Sequence, residues 1–280
     1  MKLHAIETGL FKLDGGAMFG VVPKSLWSKR IKPDDNNLCT WAMRCLLIED
    51  GDRLILIDTG LGDKQSEKFF SFVKPHGEHN LHTSLQQKGF SADDITDVIL
   101  THLHFDHVGG AVSKDGHGKL HPTFKNATYW SHSSHWKWAL HPNEREKESF
   151  LTENIVPLQE HEQIKFIDQH LFEHPSIDFL IVNGHTESQL IPKITVGEQL
   201  LYYCADLLPS VYHIPLAWVM GYDIRPLVTL KEKISLFHQA ISENAVLIFE
   251  HDATHEACTL RKDERDRVVV DQIIKINDVS

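Results

Sequence analysis

The segment Thr101-His102-Leu103-His104-Phe105-Asp106-His107-Val108-Gly109-Gly110 sets three imidazoles and a carboxylate within six consecutive positions of a 280-residue chain. The apolar residues Val98, Ile99 and Leu100 precede it and read as a short buried strand, so the histidines emerge at a strand end. His102 and His104, two apart on extended backbone, face the same way, while Asp106 and His107 lie past the bend and can serve a second centre. Leu103 and Phe105 then point into the core. Even with 20 histidines available, chance produces a His-x-His-x-Asp-His pattern in roughly one such sequence per hundred. Imidazole and carboxylate are donors for divalent transition metals, and a metal pair bound by them activates water against a carbonyl or phosphoryl group.

Ligands keep their geometry when rigid elements hold them, so further donors are expected just past buried strands. Three places fit. The apolar run 179–182 leads into Asn183-Gly184-His185, 200–203 into Cys204-Ala205-Asp206, and 246–249 into Glu250-His251-Asp252. Elsewhere, 45–48 and 54–57 form a hairpin around Glu49-Asp50-Gly51-Asp52, and its second strand ends at Asp58-Thr59-Gly60. A helix is expected over 84–88, Ser91 caps another with Asp93 and Asp94 in its first turn, and 128–130 adds a strand. Residues 230–242 have helical spacing with Ile234, Phe237 and Ile241 on one face. Strands and helices are mixed, without the strict alternation of a nucleotide-binding fold.

Hydrophobic residues make 41% and charged residues 24%, and no apolar run reaches the ~20 residues of a membrane span, which excludes membrane-integral and disordered classes. A net charge of −11 opposes nucleic acid and anionic lipid. The expected partner is a small-molecule substrate, with no nucleic acid and no membrane, and a homodimer is allowed. Cys39, Cys45, Cys204 and Cys258 are scattered and read as core thiols. The opening MKLHAIETGLFKLDGG lacks the apolar run of a signal peptide, so the cytoplasm is the expected compartment. No linker or repeat divides the chain, and residues 1–280 are read as a single domain.

Asp58-Thr59-Gly60, THLHFDHVGG, NGHTESQ, CADLLPS and FEHD, in this order, resemble the metallo-β-lactamase superfamily. Asp14 with GGAMFGVVP at 15 to 23, and NATYW with the following WKWA, look like the branch containing the quorum-quenching lactonases and methyl parathion hydrolase. The resemblance implies an α/β (α+β) fold, the four-layer αββα metallo-β-lactamase sandwich, with a binuclear site at one edge. It implies that His102, His104 and His185 hold one divalent ion, that Asp106, His107 and His251 hold a second, and that Asp206 bridges them. Zinc is the first expectation, with manganese, iron or cobalt compatible with the same donors. Five imidazoles and two carboxylates leave two such ions a net +2, or +1 with a bridging hydroxide, which suits an oxygen gaining negative charge. Asp106 and Asp206 are the carboxylates implied in catalysis, and Asp106 is placed to orient the hydroxide.

The implied activity is opening of a lactone or ester, N-acyl homoserine lactone-like, with phosphotriester cleavage as a side activity. A glyoxalase II-type thioesterase and a single-iron persulfide dioxygenase are the alternatives. About thirty residues follow His251, too few for the helical domain that such thioesterases carry. Two positions depart from the family. Pro209 stands where the best-known lactonases have a tyrosine three residues after the bridging aspartate, which leaves Tyr212, His213 and Tyr222 as candidates to protonate the leaving group. Gln189 stands where a second histidine is frequent. Met18, Phe19, Trp27, Trp218 and Met220 fall on expected loops and are the candidate apolar walls of the pocket. Asp58 is expected to be a structural acid, Cys204 a buried thiol, and His79, His82, His132 and His135 surface histidines.

Overall fold

A computed structural model describes residues 1–279. Along the chain, β1 (Lys2–Asp14), β2 (Leu38–Asp50), β3 (Arg53–Ile57) and β4 (Asp97–Ile99) come first, followed by a small hairpin of β5 (Val112–Lys114) and β6 (Leu120–Pro122). Then β7 (Thr128–Ser131) and β8 (Ile164–Phe166) complete a six-stranded sheet of order β1-β2-β3-β4-β7-β8. The strands β9 (Ile177–Val182), β10 (Gln189–Val196), β11 (Gln199–Tyr203), β12 (Val246–Ile248), β13 (Ala257–Lys262) and β14 (Val268–Ile274) form the second, of order β14-β13-β12-β11-β10-β9.

The two sheets share one core because their strands alternate. Ile55 and Ile57 of β3 and Leu46 and Ile48 of β2 pack with Ile191, Leu201, Tyr203 and Ile248 of the second sheet. The intervening Leu56, Cys45 and Leu47 face the other way. There they meet α4 (Leu81–Gln87), α6 (Ser133–Leu140) and α7 (Thr152–Glu160) through Leu85, Trp136 and Leu158. On the opposite flank α8 (Pro226–Ser242) lies on the second sheet, where the Tyr202 hydroxyl reaches Gln239 and Glu243. The layers are therefore αββα. The short helices α1 (Gly15–Phe19), α2 (Lys24–Trp27), α3 (Glu67–Val73) and α5 (Phe105–Val108) sit at the end of the sandwich where β4, β11 and β12 terminate.

Several local expectations change. Residues Lys2–Asp14 form an edge strand, β1, paired antiparallel with β2 along most of its length. Ser91 does cap, with a reciprocal bond to Asp94, but only a single 3₁₀ turn follows. The run 179–182 belongs to an edge strand rather than a buried one, and Ile181 is exposed. Helix α8 buries Thr229, Lys233, Leu236, Phe237 and Ala240 and packs Ile241 on the core, so Phe237 and Ile241 face inward as expected, whereas Ile234 is exposed and the neighbouring Lys233 is inside.

Gly184, just past β9, lies against the start of α8. A Cβ there would stand 2.4 Å from the Thr229 backbone nitrogen and 2.3 Å from its Oγ1. Replacing Gly184 by alanine should therefore push β9 and α8 apart and destabilise the protein by about 1–3 kcal/mol, read as a lower urea midpoint. An unchanged midpoint would contradict this contact.

Candidate metal centre

The loops that leave β4, β9, β11 and β12 converge, and seven side chains meet between them. His104 Nδ1 lies 3.1 Å from His102 Nε2 and 3.1 Å from His185 Nε2. His107 Nε2 and His251 Nε2 are also 3.1 Å apart, with Asp106 Oδ2 3.7 Å from the latter and 4.0 Å from the former. Asp206 faces both groups. Its Oδ2 is 3.1 Å from His185 and 3.8 Å from His102, whereas Oδ1 is 3.0 Å from His251 and 3.5 Å from His107. The turn that delivers it is strained, with Ala205 at φ 41° in the left-handed region. Gln189 steadies the same turn. With its amide oriented as its neighbours require, Oε1 accepts from the backbone N–H groups of Asp206 (3.3 Å) and Leu207 (3.1 Å).

These residues fit divalent cations. Donors bound tetrahedrally at about 2.0–2.1 Å stand roughly 3.3 Å apart, close to the spacing of the imidazole nitrogens. Asp206 Oδ1 is buried and makes no aligned hydrogen bond, as expected of an atom meant for a cation. The ring nitrogens on the far side of four of the five imidazoles have near partners. His102 Nδ1 meets Thr101 Oγ1 at 3.1 Å, His185 Nδ1 meets Asp223 at 3.0 Å, and His251 Nδ1 meets the Ala42 carbonyl at 2.8 Å. His107 Nδ1 has two carboxylates, Glu250 at 2.9 Å and Asp58 at 3.1 Å. His104 Nε2 faces Glu146 at 3.6 Å. The partners of His102, His107, His185 and His251 turn a lone pair of each imidazole inward, the arrangement that orients metal ligands, while His104 Nε2 makes no hydrogen bond.

The field of the cluster follows from burial and these pairings. Burial disfavours a charged His185, but Asp206 and Asp223 overcome it and push its pKa up to about 10. His251 likewise rises to about 9 against burial, mainly through Asp206. Asp206 is held well below the usual carboxylate range, because His251, His185 and His107 outweigh its own burial. Burial drives His102 the other way, downward, with neighbouring imidazoles adding to it. Burial also raises Glu250 to about 8, although His107 opposes it.

A cavity of about 470 Å³ opens onto the cluster, and His104, Asp106, His185, Asp206 and His251 line its floor. Of the expected walls, Met18, Met220 and Tyr222 reach it, joined by Leu13, Ala17 and Phe105. Phe19 and Trp27 do not. They stack on each other in the core behind α1, 5.4 Å between centroids, and Trp218 packs edge-on to Phe19 at 5.7 Å. The helical turns of α1 and α2 roll these rings inward, toward Trp41 and Phe11, where open loops had been expected. Tyr212 packs against His255, and His213 is fully committed to Ser210 Oγ and the Met18 carbonyl, both at 2.8 Å. Phe105, expected in the core, is half-buried and forms wall instead. His135 is buried rather than exposed. Its Nε2 accepts from the Leu103 N–H at 2.8 Å, directly between His102 and His104. His79 and His82 are exposed, His132 is half-buried, and Cys204 is a buried thiol. Glu146, Asp223 and Arg145 escaped the sequence reading because they come from irregular loops far along the chain. Glu250, beside His251 in the sequence, is an outer partner of His107 rather than a ligand.

The family model of the metallo-β-lactamase superfamily matches residues 44–251, a span that contains all seven converging side chains. The chain belongs to the metallo-β-lactamase superfamily. It is a metal-dependent hydrolase by family and by its buried His/Asp cluster. N-acyl homoserine lactonase AiiA of Bacillus thuringiensis subsp. kurstaki is 26% identical over 235 residues, covering 79% of this chain and 84% of that one. Among solved structures, a probable metal-dependent hydrolase from Staphylococcus aureus superposes with a TM-score of 0.86 at 27% identity, covering 98% of both chains. AidC, a dizinc quorum-quenching lactonase, has a TM-score of 0.79 at 21% identity and shares the fold over 98% of this chain and 95% of its own. Among the described residues, no helix is long and apolar enough to cross a membrane.

His185 and His251 are raised above the ordinary histidine value, so in metal-free protein their pairing with Asp206 contributes stability that is full below about pH 6.5 and is lost as pH rises through 9 to 10. Chelator-stripped protein should show a urea midpoint that falls across this range, and Asp206→Asn should flatten the fall. A midpoint that rises with pH in the stripped protein would rule the pairing out.

Proposed function

We propose that this superfamily member opens neutral lactones or esters with an apolar acyl or alkyl part, N-acyl homoserine lactone-like, using two divalent cations of which zinc is the first candidate. The observation that carries this reading is Asp206, one oxygen turned to each histidine group at the floor of a largely apolar cavity. His102, His104 and His185 would hold one ion, Asp106, His107 and His251 the other, and Asp206 would bridge. Bound there, the pair supplies an activated water and positive charge for the oxygen that becomes negative.

The chain's own groups do the rest. Asp106 opens on the cavity and accepts a hydrogen bond from the attacking water, which orients it. Leu13, Met18, Phe105 and Met220 take up the apolar part of the substrate and exclude water. Arg145 also lines the cavity, where its guanidinium donates to the carbonyls of Gly221 and Asp223 and so holds the 221–223 segment beside the floor. Of the three candidate acids, Tyr222 alone lines the cavity. Partial burial, with Asp106, Asp14 and Asp206 adding to it, raises its pKa, so the phenol keeps its proton at neutral pH and can pass it from Oη to the leaving alkoxide. The lactonase relatives support the acyl-ester class, and phosphotriester cleavage is proposed as a side activity.

The test is kcat/KM of metal-loaded protein on an aliphatic lactone, an aryl ester, a phosphotriester and a glutathione thioester. The lactone or ester should lead, and a preference for the charged thioester would replace this reading with a thioesterase. Tyr222→Phe should lower kcat about 10²-fold on the aliphatic lactone yet spare a nitrophenyl ester, whose phenolate leaves without a proton. Equal loss on both substrates would show that Tyr222 is not the acid.

A further inference from the structure

Lys233, on the buried face of α8, has 1% of its surface exposed. Its partners are carbonyls rather than carboxylates. Nζ donates to His213 O at 2.6 Å, Pro215 O at 3.2 Å, Leu216 O at 3.2 Å and Trp218 O at 2.8 Å. Burial lowers its pKa to about 7 against an opposing pull from Asp223, a sign of how unfavourable a charge is at this place. Four acceptors nonetheless fit an ammonium with three protons and oppose a neutral amine, whose lone pair would face an oxygen. A methionine would fill the same space beside Phe237 without that desolvation. The cation is therefore explained by what it gathers.

The gathered backbone runs straight into the site. Beyond Trp218, Met220 and Tyr222 line the cavity, and the Gly221 N–H donates to the Ala17 carbonyl of α1 at 2.7 Å. Asp223 then holds His185. We propose that Lys233 is a positioning residue for the substrate: its ammonium draws the carbonyls of residues 213–218 into the one loop conformation that presents Met220 and Tyr222 to the cavity, and so decides which apolar substrates fit. This rests on the reading of the cavity as the substrate site.

The experiment compares metal-loaded wild type, Lys233→Met and Lys233→Ala by amide hydrogen exchange, metal content and kinetics on the aryl ester, which does not need Tyr222. Both variants should keep wild-type metal content while exchange over residues 213–222 quickens about tenfold and that over 199–203 stays unchanged. KM should rise about fivefold with kcat nearly constant. The atoms deleted in Lys233→Ala are those of n-propylammonium, which should restore the exchange protection where 1-propanol does not. Wild-type exchange over 213–222 in the variants, or equal rescue by the alcohol, would overturn the proposal. If Lys233→Ala does not fold, exchange in Lys233→Met decides. A wild type inactive on every substrate would sink the proposed function, while the exchange result still judges the clamp.

Discussion

A buried carboxylate, Asp206, stands among five imidazoles, four of which have their outer nitrogens already engaged, and the end of the sandwich is organised around that fact. Left alone, such an assembly is costly, because burial opposes the charge on every member. It is stabilised by pairing in the stripped protein and by cations in the loaded one, and both demand the same convergence of lone pairs. The outer carboxylates follow from this. Glu250 and Asp58 on His107, and Asp223 on His185, fix the tautomers that make the inner face a binding face.

Convergence requires strand ends at a common level, which the two sheets supply. The parallel pairings of β3 with β4 and of β11 with β12 bring Asp58, His102, Asp206 and His251 to the same edge. The two sheets are also stitched together there, with Ala42 N–H bonding to His251 O and Arg44 reaching the carbonyls of Phe249 and Asp252. The core between the sheets and the cluster at its end are thus parts of one arrangement, since a shift of one sheet over the other would separate the two halves of the donor set.

The places that deliver the seven converging residues were legible because each follows an apolar run that reads as a strand, and the resemblance to the superfamily picked the donors out from their neighbours. Two of the outer partners were not. Glu146 and Asp223 come from loops whose path depends on tertiary packing, and nothing local marks them. The aromatic residues failed for a related reason. Residue type suggested a pocket wall, but whether Phe19 and Trp27 face substrate or core depends on two short helices that carry little periodic signal. Helix α8 and most of its inner face are legible, since Phe237 is buried and Ile241 packs on the core, but hydrophobic patterning reads Ile234 as inside and has no way to see that Lys233 has partners there.

The contact between Asp223 and His185 has one more implication. Active-site loops usually vary freely between related enzymes because chemistry and recognition are carried by separate pieces of chain. Here the segment that shapes recognition also carries the acid that orients a metal-facing imidazole. Insertions or exchanges in this segment are therefore constrained by the metal, and α1 is bound to the same segment through the carbonyls of Ala17 and Met18. In evolutionary terms the two walls of the entrance are one inherited unit, so divergence in specificity has to preserve the tie to the metal.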